Sequence, residues 1–164
     1  MLTVRKASIE DIPLIRELTF KVWPQTYAQL LSQEQIDYML KMMYSEASLQ
    51  KQMNEDGITF IVIYDEETPV AFAAYNEAKS QIWKLHKIYI LQSQQGKGTG
   101  RFIIDYIIAE IKALNATALQ LQVKRDNPAQ HFYKKLGFEI IETADFDIGN
   151  GYFMKDYIME LTIA

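Results

Sequence analysis

The chain has 164 residues, enough for one compact domain with a continuous core, and its 49% apolar and 23% charged residues set disorder aside. It has no cysteine, which removes disulfides, thiolate metal sites, iron–sulfur clusters and cysteine nucleophiles; with only His86 and His131 for imidazole ligands, no metal is expected. The net charge of −4 offers no basic field to nucleic acid or to an anionic membrane, and no apolar run nears the roughly 20 residues that span a bilayer.

Met1 leads straight into Leu2-Thr3-Val4-Arg5 without a basic-then-apolar signal, so a cytoplasmic location is expected. Leu2 to Lys6 reads as a short strand. Ser8 and Asp11 then mark a helix start, and Ile12, Ile15, Leu18 and Val22 recur at helical spacing until Trp23-Pro24, where the helix is expected to end or bend away. Ser32 and Gln35 form a capping box for a second helix with Ile36, Met39, Leu40 and Met43 on one face. A short helix over residues 45–53 closes at Asn54-Glu55-Asp56-Gly57. Strands are expected over 58–64, 70–76 and 82–90, the first two joined by the turn Asp65-Glu66-Glu67-Thr68-Pro69. The glycine-rich break Gly96-Lys97-Gly98-Thr99-Gly100 opens a largely apolar helix over 101–114, whose wet stripe is Arg101, Asp105 and Lys112. Leu119, Leu121 and Val123 alternate with Gln120 and Gln122 in a strand over 117–123. Asn127-Pro128 is an N-cap with proline at the first helical position, and Gly137 stands as the glycine just past the helix end. Strands over 138–143 and 152–162 close the chain, joined through 147–151. No linker divides the sequence, so residues 1–164 read as a single domain of mixed α/β class, too antiparallel in its middle to be doubly wound.

The stretch that carries chemistry is the strand, the loop Gln95-Gly96-Lys97-Gly98-Thr99-Gly100 and the helix behind it. Glycines let the backbone approach a ligand closely, and first-turn N–H groups at the positive end of a helix dipole receive phosphate. A P-loop fails here, because Gly96-Lys97 is followed by Gly98 and no glycine lies five positions before Gly96. A dinucleotide fingerprint fails too, since its last glycine would fall on Arg101 or Ile103.

Read as Gln/Arg-x-x-Gly-x-Gly/Ala, the loop resembles that of the GCN5-related N-acetyltransferase (GNAT) superfamily. Two further runs carry the resemblance: Leu85-His86-Lys87-Ile88-Tyr89-Ile90 resembles the family's fourth strand. Asn127 to Phe138 resembles its Asn-x-x-Ala-x-x-Phe-Tyr-x-Lys-x-Gly-Phe signature. The tail around Asp156 and the polar insertion over 23–38 are similar to the polyamine (spermidine/spermine-type) branch. The resemblance implies the GNAT acyl-CoA N-acyltransferase fold, a mixed, mostly antiparallel sheet of about six to seven strands flanked by helices. It implies acetyl-CoA as donor, CoA as product and a primary amine as acceptor.

By the same resemblance, the backbone of Ile88, Tyr89 and Ile90 would bond the pantetheine arm as an added strand and polarise the thioester carbonyl. Residues 95–101 (Gln95, Gly96, Lys97, Gly98, Thr99, Gly100, Arg101) would take the pyrophosphate, and Asn127 and Lys135 would touch the cofactor. Tyr133 would protonate the departing thiolate. Lys97, Arg101 and Lys135 can equally be solvated side chains, Asn127 a cap and Tyr133 a core aromatic. His86 stands where many members carry a glutamate; an imidazole can take the amine's proton, and a water chain to Glu77, Tyr75 or a backbone carbonyl is the alternative. Trp23, Thr26, Tyr27 and Tyr38 could line the acceptor, aromatic faces suiting a cationic amine, or simply cap the core. With no cysteine as acyl carrier, the amine is expected to attack directly in a ternary complex. The competing reading is a non-catalytic CoA-binding regulatory or partner-binding module, supported by the missing strand glutamate. The open C-terminal strand edges invite a homodimer.

Overall fold

The computed structural model describes residues 1–164. Strand β1 (Leu2–Lys6) is followed by one 3-10 turn (Ile9–Asp11) and three helices, α1 (Ile12–Tyr27), α2 (Gln33–Tyr44) and α3 (Glu46–Asn54). Strands β2 (Thr59–Asp65), β3 (Thr68–Lys79) and β4 (Ile82–Ile90) come next, then a second 3-10 turn (Gln92–Gln94) and α4 (Thr99–Lys112). Strand β5 (Ala118–Lys124), helix α5 (Ala129–Lys135) and strands β6 (Glu139–Gly149) and β7 (Tyr152–Thr162) complete the chain. The seven strands form one open, mostly antiparallel sheet in the order β1-β2-β3-β4-β5-β7-β6, the fold the GNAT resemblance implied. The β4/β5 pair is parallel: its ladder takes in Ile82–Leu85, and β4 itself runs on to Ile90.

The chain divides into two compact units, and β3, β4 and α4 contribute residues to both. The first comprises residues 1–76 and 87–103. Its start is fixed by capping: Ser8 accepts from the Glu10 N–H at 3.3 Å, Asp11 Oδ2 accepts from the Ser8 N–H at 2.9 Å, and Arg5 grips the same carboxylate. Ser32 and Ser45 cap α2 and α3, accepting from the Gln35 and Ser48 N–H groups at 3.1 and 3.2 Å. The helices bury Ile12, Ile15, Leu18, Val22, Ile36, Met39, Tyr44 and Leu49. In β2 and β3 the runs Phe60–Ile63 and Val70–Tyr75 are buried without alternation, as strands covered on both faces are.

The second unit comprises residues 77–86 and 104–164. Ile104, Ile107 and Ile111 of α4 are buried at helical spacing, and Leu119, Leu121, Val123 and Met159 supply the buried face of β5 and β7. Helix α5 closes with a Schellman motif: the Phe138 N–H bonds the Tyr133 carbonyl and the Gly137 N–H the Lys134 carbonyl, both at 3.0 Å, with Gly137 at φ +103°. The β6–β7 turn is Asn150-Gly151, both residues at positive φ.

One expectation is overturned. Helix α1 does not stop at Trp23-Pro24 but continues through Pro24 to Tyr27. Proline cannot donate to the Phe20 carbonyl, but Phe20 lies on the exposed side of the helix at 46% exposure, and the Ala28 N–H bonds the Pro24 carbonyl at 3.2 Å. Smaller shifts concern ends: α4 begins two residues before Arg101, β3 and β6 outrun 70–76 and 138–143, and the cap of α5 is Pro128 rather than Asn127.

Candidate active site

In the first unit, β4 delivers the chain to the loop that opens α4. The Leu91 N–H bonds the Val70 carbonyl at 2.9 Å, and the Gln94 N–H turns back to the Leu91 carbonyl at 2.9 Å. Gln94 is buried at 6% exposure; its Nε2 donates to Asp65 Oδ2 at 3.4 Å, its Oε1 accepts from Thr99 Oγ1 at 2.9 Å, and its backbone carbonyl accepts from Lys97 N at 3.3 Å. Gly96 and Gly98 stand at φ +76° and +77°, and a Cβ built on either meets nothing within 4 Å. The glycines therefore serve the backbone path rather than tight packing, and the first-turn N–H groups of α4 that follow them lack intrahelical partners, an arrangement suited to an anion. Gln95, Lys97 and Arg101 are exposed, Gly100 is half-buried and Thr99 is buried. These residues fit a pyrophosphate.

Gln94 lies outside the six-residue motif and was not anticipated. Its amide reads as an ordinary polar loop residue because its partner Asp65 lies 29 positions away.

Beside the loop, Val22, Gln25 and Thr26 of α1 join Ile90, Gln92 and Gln95 around a recess of about 190 Å³. Behind it is an aromatic cluster. Trp23, 2% exposed, lies 4.6 Å from Tyr27, 5.5 Å from Tyr44 and 6.1 Å from Tyr89 between ring centroids, and Tyr89 lies 5.5 Å from Phe72. Lys87 Nζ sits 4.6 Å over the Tyr44 ring, a cation–π contact. Burial pushes the Tyr44 and Tyr89 phenols well above their ordinary range. Trp23 is thus a core residue, while Tyr27 and Tyr38 are half-buried. Ile88 and Ile90 are half-buried on β4.

In the second unit, Tyr133 is 8% exposed, with Phe132 and Phe138 at 5.3 and 5.7 Å edge-on. Asn127, one residue before the cap, accepts at Oδ1 from the Ala129 N–H at 2.9 Å and so fixes the entry to α5, while Lys135 is exposed. Lys84 and His86 are half-buried and alternate with buried Leu85. Glu77 Oε2 accepts from the Gln81 N–H at 3.0 Å, closing the turn before β4. On β7, Asp156 is 1% exposed; burial raises its carboxyl above the ordinary value against the pull of Lys124, Arg125 and Lys84.

An open, mostly antiparallel sheet with a parallel β4/β5 pair leads through a glycine-bearing loop into the N-terminus of α4, the architecture that the GNAT resemblance implied. A family model described as an acetyltransferase (GNAT) domain matches residues 27–160, and the chain belongs to the GNAT acetyltransferases. It is an acetyl-CoA-dependent N-acetyltransferase. It is 27% identical to a spermidine N(1)-acetyltransferase of Thermoplasma acidophilum over 150 residues, covering 88% of this chain and 92% of the relative. To YuaI of Bacillus subtilis, named as an uncharacterized N-acetyltransferase, it is 24% identical over 152 residues, covering 90% of this chain and 86% of the relative. Among solved structures, the PaiA N-acetyltransferase of Thermoplasma acidophilum in complex with coenzyme A superposes with a TM-score of 0.83 at 24% identity over 99% of both chains. No helix is long and apolar enough to cross a membrane.

Proposed function

We propose that the chain acts as a single catalytic domain that acetylates a small primary amine, of the polyamine kind, by direct attack in a ternary complex. The observation that carries this reading is the loop held by Gln94 and Thr99, whose glycines lead into the first-turn N–H groups of α4, an arrangement suited to a pyrophosphate. Acetyl-CoA supplies the activated thioester. The loop Gln95–Arg101 holds its phosphates through backbone N–H groups, with Lys97 and Arg101 adding charge. Because the Tyr89 ring is committed to the aromatic cluster, Tyr89 serves with Ile88 and Ile90 through its backbone, bonding the pantetheine arm and polarising the carbonyl. Asn127 and Lys135 complete the cofactor contacts. His86 takes the proton of the ammonium, directly or through water, and the Tyr133 hydroxyl gives its proton to the leaving sulfur. Tyr27, packed on Trp23, and Tyr38 face the acceptor. A small amine is favoured because the spermidine N(1)-acetyltransferase similarity spans 88% of the chain.

The test is release of free CoA thiol from acetyl-CoA over a panel of polyamines, amino acids, aminoglycosides and short peptides, with Tyr133→Phe as control. Turnover of polyamines that collapses in the variant is the expected result. Binding of acetyl-CoA without acetylation of any amine would make the chain a CoA-binding module instead.

A further inference from the structure

The second unit carries a buried carboxylate to which the proposed chemistry gives no task. The β5/β7 register sets Gln120 opposite Glu160, Gln122 opposite Ile158 and Lys124 opposite Asp156 on one sheet face, while Leu119, Leu121 and Val123 meet Leu161, Met159 and Tyr157 on the other. The first polar rung is satisfied, Gln120 Nε2 donating to Glu160 Oε2 at 2.7 Å. The last is not: Asp156 Oδ1 is buried and has no hydrogen-bond partner. The nearby cations are engaged elsewhere. Lys124 Nζ lies 3.6 Å from Asp126 Oδ2, and Arg125 is held by the Ala144 carbonyl at 3.0 Å and by Asp145, reaching Asp156 only at its backbone carbonyl, 3.5 Å from Nε. Lys84, the remaining cation whose charge reaches Asp156, is itself desolvated, which lowers its ammonium's pKa. A buried carboxylate oxygen without a donor is costly, and a ligand that brings a donor to it removes that cost.

We infer that Asp156 is an acceptor-binding residue, its Oδ1 receiving a hydrogen bond from an ammonium of the amine substrate. The inference rests on the amine acetyltransferase reading above. An alkyl ammonium brings both the donor and the positive charge that the buried oxygen lacks. Asp156 adds charge selection to the reaction without taking part in proton transfer.

The test is steady-state kinetics of the full chain with spermidine as acceptor, comparing wild type, D156N and D156E, with thermal unfolding of each. Loss of a charged hydrogen bond is expected to raise the KM for spermidine about 10- to 100-fold in D156N. The KM for acetyl-CoA should stay unchanged, the Tm should equal or exceed wild type, and D156E should recover part of the spermidine affinity. An unchanged KM for spermidine overturns the inference, as does a joint loss of Tm, kcat and both KM values, which marks a structural role. Wild type that acetylates no amine overturns the functional reading instead. Calorimetric titration of spermidine into CoA-loaded wild type and D156N then decides Asp156 alone: weaker binding in the variant supports it, and equal or absent binding overturns it.

Discussion

Thr99 Oγ1 donates a buried hydrogen bond of 2.9 Å to Gln94 Oε1, joining the first residue of α4 to the turn that precedes the glycine loop. With the Gln94 Nε2–Asp65 bond, it pins the loop to the end of β2. Thr99→Val keeps the shape, removes the donor and leaves a buried acceptor unpaired, at a cost of about 1–3 kcal/mol. We expect a lower Tm and a several-fold higher KM for acetyl-CoA, with KM for the amine unchanged. An unaltered acetyl-CoA KM would show that the loop holds its shape without this bond.

Two glycines with positive φ should separate binding from stability. At Gly98, φ +77° is unfavourable for alanine but the space is open, so Gly98→Ala should shift the loop and weaken acetyl-CoA binding at a stability cost of about 1–2 kcal/mol. At Gly137, φ +103° is joined by Leu161 Cδ1 only 3.1 Å from an added Cβ. Gly137→Ala should therefore lower the unfolding midpoint more than Gly98→Ala, without raising KM for acetyl-CoA beyond it. Urea unfolding and acetyl-CoA titration of the two variants measure both effects.

The strands and caps were legible because their signals are local: serines ahead of apolar runs, Asn150-Gly151 at a hairpin, alternation in β5. Pro24 misled because an exposed helix face can carry the lost hydrogen bond and the ring's crowding of the preceding turn, and the exposure of Phe20 belongs to the fold. The loop could be read from its glycines, but the part played by Gln94 could not, since it depends on Asp65 far back in the chain. Asp156 was visible as a charge in an apolar tail similar to that of the polyamine branch, with no role attached to it. Its burial and its missing partner emerge from the pairing of β5 with β7.

Tyr133 offers the most direct test of the chemistry. Its ring is wedged edge-on against Phe132 and Phe138, so Tyr133→Phe retains the packing. If the hydroxyl protonates the leaving sulfur, kcat should fall about 10²- to 10⁴-fold, the range of general acid catalysis, with Tm and acetyl-CoA binding little changed. A kcat within a few-fold of wild type would assign Tyr133 to packing alone.

Asp11 should make the N-terminal region sensitive to acid. Arg5 NH2 and NH1 contact its two carboxylate oxygens at 2.8 and 3.0 Å, and the Ser8 N–H adds a third bond, which together hold its pKa below the ordinary 3.8. A depressed pKa gives stability that is fully present above 3.8 and is lost as pH falls through the lower folded value. Asp11→Ala should cost about 1–2 kcal/mol at neutral pH, modest because Arg5 is half exposed. That difference should vanish in strong acid. A gap of constant size down to low pH would assign the loss to packing rather than to the carboxylate charge.

Asp156 should behave with the opposite sign. Burial raises its folded pKa above the ordinary 3.8, outweighing Lys124, Arg125 and Lys84, so the charged form costs stability at every pH above that raised value. Acidification through the folded pKa protonates the group and removes the cost, and below 3.8 both states carry the proton. D156N removes the charge at all pH values. Its Tm should therefore exceed that of wild type most at neutral pH, and the advantage should shrink as pH falls toward 3.8. Thermal unfolding of both proteins across this range measures it. A Tm deficit that grows toward neutral pH would mean that the cations stabilise the carboxylate more than burial penalises it, leaving Asp156 as an internal counter-charge.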